Sequence, residues 1–536
     1  MMPQLLILAA NTTWYNQPTI RWPIMVAYLS MLALITLYGT HRYWLVWRFC
    51  RHGVHPQPPP KHFDTLPTIT VQLPMFNEAN VAARVIDATC QLHYPKDRLQ
   101  VQVLDDSTDS CAEIAQQRCG YWANRGINIE FQHRENRKGF KAGALGEALR
   151  SATGRFIAVF DADFVPPPQF LKQTIHYLAD PSIGMVQTRW DHLNRTDSIL
   201  TRMQAIFLDG HFVVEHTARN RSSCWINFNG TAGLWRREAI ETAGGWQHDT
   251  LTEDVDLSYR SQLAGWKFVY LPNVTCPAEL PPEINAFKAQ QHRWTKGSIQ
   301  TARKLLPTLL RASPRTVPRR IKVEAFFHLT CPMVYLFMTL MALLFLPTIY
   351  VNAQPFEQGT PMAIVLTVFS FALGTLSVGV FYTMSQRAQG RSALATIMQI
   401  PMLMALGIGI SVNNTRAIIE ALIGFESPFI RTPKYNSDRQ SVQRQSMIPM
   451  TSIKLWMPFL EIALGIYTLI SAWLVLSIHN AVVGFPFLLL FAGGFLYVGL
   501  TSLRLQLQLM RSATRNKRIP ITSVQPHRYP EDSGHA

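Results

Sequence analysis

No two of the seven cysteines form a C-x-x-C pair; Cys50, Cys90, Cys111, Cys119, Cys224, Cys276 and Cys331 lie singly. An odd, scattered set argues against a disulfide framework and against a zinc site, and points to a mostly reduced, cytosol-facing domain. A G-x-G-x-x-G turn and a G-x-x-x-x-G-K-[ST] loop are also missing. Dehydrogenase and P-loop readings lose ground with them, so phosphate must be held by metal and basic side chains. The net charge of +16 comes without an aromatic-plus-basic recognition motif, which argues against nucleic acid as a partner. No basic stretch precedes the short apolar run Leu5–Ala10, so a cleaved leader is not expected.

What the chain does have is unevenly spread. Apolar residues gather in one run near the N-terminus and several after residue 325, with a more polar block between them. That distribution implies a soluble domain inserted into a membrane protein. Much of the positive charge lies beside the apolar runs, as the positive-inside rule predicts. Residues 23–47 make the first span, followed by His41, Arg42, Arg48, Arg51 and His52, which puts the next domain in the cytosol. Pro56, Pro58, Pro59 and Pro60 then make a stiff linker.

At the far end of the polar block lie seven basic residues and no acid: Arg303, Lys304, Arg311, Arg315, Arg319, Arg320 and Lys322. The span at roughly 325–351 therefore also starts from the cytosol, and a third, about 361–383, returns to Arg387 and Arg391. Residues 393–412 are long enough to cross but contain Gln399, Pro401, Gly407 and Gly409, and basic residues follow them as well as precede them. Parity favours an interfacial or re-entrant helix there. Spans at about 455–477 and 481–508 complete an expected five crossings, with the N-terminus outside and the C-terminus in the cytosol.

The inserted block, 67–280, alternates short apolar runs with amphipathic stretches, the pattern of a βαβ sheet. Strands are expected at 68–73, 100–104, 127–131, 155–160 and 184–188, with helices after Asn77-Glu78 and around 141–150. Acids stand where strands stop: Asp105-Asp106 after Val101–Leu104, and Asp161-Ala162-Asp163 after Arg155–Phe160. The carboxyl ends of strands in an open α/β sheet form the ligand crevice. Hard carboxylate oxygens there suit Mg²⁺ or Mn²⁺ holding a diphosphate, with Asp163 and Asp161 the candidate ligands.

Each motif also has a plain structural account. Asp105-Asp106-Ser107-Thr108 can be a turn and N-cap, or one of the pair can bind the base or ribose of a nucleotide. Lys138 and Lys141 can face that nucleotide or belong to a solvated loop. Thr252-Glu253-Asp254 reads as a helix start with Thr252 as N-cap, yet a carboxylate there can serve an acceptor hydroxyl as general base. Gln290, Arg293 and Trp294 share one helix face. Arginine binds diphosphate in a forked geometry, and an indole offers a platform for a sugar ring or a membrane-interface anchor.

In this order the motifs resemble a processive member of glycosyltransferase family 2, the cellulose-synthase-like group. The chain is similar to bacterial cellulose synthase catalytic subunits and to plant cellulose-synthase-like A and C mannan and glucan synthases, over roughly residues 66–510. The resemblance rests on Asp105-Asp106, Asp161-x-Asp163, Phe228-Asn229-Gly230-Thr231, Thr252-Glu253-Asp254 and Gln290-x-x-Arg293-Trp294. It implies an α/β GT-A domain between transmembrane helices of a multi-pass cell (inner) membrane protein, with the catalytic domain cytosolic.

The same resemblance implies that Asp105 or Asp106, Lys141 and Asp161 contact the nucleotide sugar, and that Asp161 and Asp163 bind Mg²⁺ or Mn²⁺. Asp254 is the base, Arg293 holds the diphosphate and Trp294 stacks on the terminal sugar. Phe228, Asn229, Gly230, Glu253 and Gln290 lie on the acceptor side. Phe429–Lys434 is similar to the gating loop F-x-V-T-x-K, with Arg431 where Val is usual, and Thr432 and Lys434 would cap the bound nucleotide. Asn229-Gly230-Thr231 departs from the Cys-Gly-Ser of bacterial cellulose synthases, which weakens the case for glucose and cellulose. With about 28 residues beyond the last span, regulation through a PilZ domain is not expected.

The implied divisions are 1–52 (first span), 53–66 (linker), 67–284 (GT-A domain), 285–322 (interface helices), 323–390 (two spans), 391–454 (interfacial or re-entrant helix and gating-like loop), 455–510 (two spans) and 511–536 (tail). The expected activity is inverting transfer of hexose from UDP-glucose or GDP-mannose to a β-linked glucan or (gluco)mannan that crosses the membrane, with room for accessory export subunits. Two rivals are a non-processive enzyme putting one sugar on ceramide or diacylglycerol, and a transporter with a regulatory domain. The few ionisable groups in the spans, Glu324, His328 and Glu461, speak against the transporter.

Overall fold

A computed structural model of the chain describes residues 17–53, 58–59, 61–351, 361–426, 456–479 and 484–516. The first element, α1 (Pro18–His52), is 35 residues long, well beyond the roughly 20 needed to cross a bilayer. Its end is basic, and Arg48 lies 5.1 and 5.2 Å from the ring centres of Trp44 and Trp47.

Seven strands follow: β1 (Ile69–Met75), β2 (Leu99–Asp105), β3 (Ile129–His133), β4 (Phe156–Val159), β5 (Ile183–His192), β6 (Gly233–Arg236) and β7 (Lys267–Ala278). They form one sheet in the order β3-β2-β1-β4-β6-β5-β7. β1, β2, β3 and β4 run parallel, β6 lies antiparallel to β4 and β5, and β7 runs parallel to β5. Every residue of β1, β2 and β4 is buried, as expected of strands covered on both faces. The polar residues among them pair across the strands: Thr70 donates to Gln100 at 2.7 Å, and Gln72 to Gln102 at 3.0 Å.

Helices α2 (Ala79–Cys90) and α3 (Cys111–Ala123) pack one face of the sheet through Val81, Val85, Ile86 and Ala115. On the other face, α4 (Phe140–Ala148) meets Ile157, Val159 and Trp235 through Ala144, Leu145 and Ala148. The chain leaves β1 in two directions, to β2 and β3 on one side and to β4 on the other. That reversal is the switch point where α/β sheets bind ligands. Met75 pairs with Asp105, so the ends of β1 and β2 meet the start of the Asp161 loop along one edge.

The rest is helical: α5 (Ile199–Asp209), a π-helical turn Gly210–His216, α6 (Glu253–Leu263), α7 (Ile284–Arg311), α8 (Arg319–Thr330), α9 (Met333–Val351), α10 (Pro361–Ala388), α11 (Ala393–Gly409), α12 (Ser411–Ile423), α13 (Met457–His479) and α14 (Phe485–Asn516). Among the described residues four helices are long and apolar enough to cross a membrane, or five if α11 and α12, bent by 41° at their junction, count as one. The protein is a multi-pass membrane protein. Its sheet docks on the helices through Asp209, which accepts from Arg195 at 2.6 Å and from Gln386 of α10 at 2.8 Å.

Candidate active site

β4 ends at Val159, and the turn beyond it presents Asp161 and Asp163. The Asp161 backbone N–H donates to Thr231 Oγ1 at 2.9 Å, and that threonine precedes β6. Antiparallel pairing of β4 with β6 therefore carries Asn229-Gly230 to the acids. Gly230 has φ +80°, and a Cβ there would meet Asp254 Oδ2 at 3.1 Å and Lys141 Nζ at 3.3 Å. Glycine is needed at this crossing of donor-side and acceptor-side groups.

Lys141, from the first turn of α4, sits at the centre. Its Nζ lies 2.5 Å from Asp161 Oδ1, donates to the Gly230 carbonyl at 2.8 Å and is 3.9 Å from Glu253 Oε1. Burial alone would lower its pKa, but Asp161, Glu253 and Asp254 reverse the shift and hold the amine above its ordinary range. Asp254 is perturbed the other way. Burial, then the charge of Glu253, push its carboxyl up to about 7, against the pull of Lys141. Arg293 is lowered by burial, against the attraction of Glu253 and Asp161.

Two cavities meet here. The smaller, about 170 Å³, is lined by Asp106, Lys141, Asp161, Asp163, Glu253 and Arg293, among others. The wider, about 460 Å³, is mainly apolar and runs beside α1, α9, α10, α11 and α14, past Thr36, Met338, Val378, Leu403 and Phe491. Trp190, Asn229, Thr252, Asp254, Gln290 and Trp294 line both. The carboxyl of Asp254 thus stands at the junction, one side toward a charged pocket and the other toward a passage between membrane helices.

The remaining sequence-derived candidates are placed differently with respect to this junction. Asp105 is fully buried, faces His133 Nδ1 at 2.7 Å and lines neither cavity. Asp106 lines the small cavity and accepts from Arg134 Nη2 at 2.6 Å and Nε at 2.7 Å. Lys138 is exposed and lines neither cavity. Phe228 is buried beneath Trp235 and Trp246 and supports the Asn229 turn from behind. Thr252 is the N-cap of α6 by position, but its hydroxyl meets Thr301 at 3.3 Å. Thr432 and Lys434 lie outside the described residues.

Sequence reasoning passed over Trp190, whose ring lies 6.4 Å from that of Trp294, and Phe76, Glu78, Arg137 and Glu279 in the small cavity. Trp190 lies near the end of the long strand β5; a signal for it was the same nearness to a strand end that flagged the acids.

Asp161 and Asp163 offer hard oxygens facing the small cavity. Among the described residues no group of three or more His, Cys, Asp or Glu gathers to cage an ion. One or two carboxylates, completed by substrate phosphates, is how Mg²⁺ is commonly held. The donor set fits a divalent cation that arrives with a diphosphate.

A mixed sheet with acids ranged along its switch-point edge, joined to membrane helices, defines a GT-A type core in a multi-pass membrane protein. Residues 67–297 match the family described as Glycosyltransferase like family 2. It is 46% identical over 271 residues to Glucomannan 4-beta-mannosyltransferase 1 of Oryza sativa subsp. japonica, covering 50% of this chain and 52% of that protein. It is likewise 46% identical over 253 residues to Glucomannan 4-beta-mannosyltransferase 2 of Arabidopsis thaliana, covering 46% and 47%. The chain spans about half the length of these curated relatives. Its fold is similar to a mannosyltransferase from Pyrobaculum calidifontis, solved with GDP-Man and Mn²⁺, at TM-score 0.52 and 20% identity, covering 75% of this chain and all of that one.

Proposed function

We propose that this protein is an inverting hexosyltransferase that moves mannose from GDP-mannose to the end of a β-1,4-linked (gluco)mannan, with UDP-glucose the second donor to test. The observation that carries the reading is the junction at Asp254, between a charged pocket and a passage lined by membrane helices. The names of the relatives at 46% identity favour mannosyl transfer. The passage favours a polymer over a single sugar placed on a lipid.

In this reading the diphosphate lies against Lys141 and Arg293, and Asp106 faces the nucleoside. Asp161 and Asp163 hold Mg²⁺ or Mn²⁺, which when bound neutralises charge on the departing diphosphate. The terminal sugar of the acceptor stacks on Trp294, steadied by Gln290 and Asn229. Asp254 takes the proton of the chain-end hydroxyl as its oxygen bonds to the anomeric carbon. The carbon–oxygen bond to the diphosphate breaks on the opposite face, and GDP leaves. Thr432 and Lys434 cap the nucleotide. The seven basic residues between Arg303 and Lys322 support a cytosolic catalytic domain, with the divisions given above, the polymer leaving through the spans and accessory export subunits joining if required.

The test is incubation of protein in liposomes with radiolabelled GDP-mannose or UDP-glucose and Mn²⁺, followed by sizing and linkage analysis. A ladder of β-1,4-linked product, lost on chelation and restored by Mg²⁺ or Mn²⁺, is expected. A single-sugar glycolipid, or turnover of neither donor, defeats the reading.

A further inference from the structure

A buried polar cluster lies on the acceptor side of Asp254, and only its Asn229 enters the chemistry above. The π-helical turn Gly210–His216 carries it; such turns are rare and often mark functional sites. His211 and Glu215 line the wide cavity but not the small one, with side chains 27% and 20% exposed, so what exposure they have serves that cavity.

Hydrogen-bond direction fixes the state of the cluster. The Phe228 carbonyl can only accept, so the amide nitrogen of Asn227 faces it at 2.9 Å. The same nitrogen donates to Asn229 Oδ1 at 3.1 Å, which leaves Asn229 Nδ2 donating to His216 Nε2 at 3.2 Å. His216 Nε2 is therefore an acceptor. His211 Nε2 faces two acceptors, Asn229 Oδ1 and His216 Nε2, each at 3.0 Å, and carries a hydrogen. His211 Nδ1 faces the Glu215 carboxylate at 2.9 Å. Burial opposes ionisation of Glu215, but Arg219 and His211 overcome it and keep that carboxyl below its ordinary range. The cluster thus sets an imidazole and a carboxylate side by side on the wall of the wide cavity.

We infer that His211 and Glu215, with Asn229, form a saccharide subsite for the hexosyl unit one step behind the acceptor terminus. Hydroxyl groups both donate and accept, so a carboxylate and an imidazole a few ångströms apart can satisfy one sugar edge. Position argues the same: Asn229 touches both cavities while His211 and Glu215 touch only the exit side. The inference rests on the proposed transfer to a saccharide chain and adds where the second sugar is gripped.

The test uses full-length protein in nanodiscs with GDP-mannose and β-1,4-manno-oligosaccharides of increasing length. Wild type should show a drop in acceptor KM of about tenfold or more from mono- to disaccharide, the scale of hydrogen bonds to charged groups. His211→Gln and Glu215→Gln should reduce that step to about threefold or less while the KM for GDP-mannose and its slow hydrolysis by water stay as in wild type. A thermal shift on adding GDP checks folding, and the isosteric Glu215→Gln decides if the histidine variant fails to fold. An undiminished step in the variants, or hydrolysis and transfer falling in parallel, overturns the subsite. Wild type that hydrolyses GDP-mannose but shows no length dependence overturns it alone, whereas wild type inert to every nucleotide sugar removes the underlying reading as well.

Discussion

Asp254 carries a conflict that defines its use. Burial and Glu253 raise its pKa from 3.8 to about 7, so near neutrality the carboxyl can both take and release a proton. Its folded-state pKa lies above its unfolded one, so between those two values the folded chain holds a proton that the unfolded chain has lost. Stability from this group therefore falls as pH rises from about 4 to 7 and stays reduced above that window. Asp254→Asn should cut transfer by roughly 10²- to 10⁴-fold yet melt at or above the wild-type temperature at pH 8, with the difference gone near pH 4. Wild-type transfer should lose activity as pH drops below about 7. A profile flat from pH 5 to 8 would exclude Asp254 as the base. At this scale the sequence left one choice open, which of Asp105 and Asp106 faces the ligand. Asp105 closes β2 and points toward His133, while Asp106, one residue past the strand, lines the small cavity.

Elements bring these residues within reach, and α7 does so by close approach to the start of α6. A Cβ on Gly297 would meet Thr252 Cγ2 at 2.5 Å and its backbone N at 2.8 Å. Gly297→Ala should therefore push the helix bearing Arg293 and Trp294 away from Asp254, lowering kcat by about tenfold or more although no group at the reacting centre changes. Thr252→Ser removes Cγ2 and should recover part of the loss in the double variant; equal losses in single and double variants would show that the contact is not the cause. The apolar runs of β1, β2 and β4 were legible because strands covered on both faces read as near-continuous hydrophobic stretches. β7 was not, since Pro272 and Pro277 break its pattern, and an edge strand tolerates proline where an inner one does not. β6 is only four residues long, too short to show a period. The π-helical turn that places His211 and Glu215 has no periodic signature in the residues.

Across the whole molecule α7, the helix of Arg293 and Trp294, is tied to α13 and α14 by a buried pair. Lys288 Nζ of α7 lies 2.6 Å from Glu461 Oε1 of α13 and 3.4 Å from Ser502 of α14, while Asn413 of α12 donates to the Lys288 carbonyl at 2.9 Å. Glu461→Gln or Lys288→Met alone should destabilise by about 3–5 kcal/mol, because the remaining charge is left buried. The combined Lys288→Met, Glu461→Leu variant should sit close to wild type, read by denaturant unfolding in detergent micelles. Single variants no weaker than the double would show that the pair contributes nothing.

Beyond that tie the wide cavity is walled by Val378, Phe381, Leu403, Met404, Leu490 and Phe491. Hydrocarbon side chains give a hydrated ion nothing in exchange for its water, so this apolar stretch opposes the entry of ions. On the proposed function, a hydroxyl-rich product threaded through it would bring its own polar groups into the bilayer. How well the membrane around this protein insulates would then be set, moment to moment, by what occupies the passage.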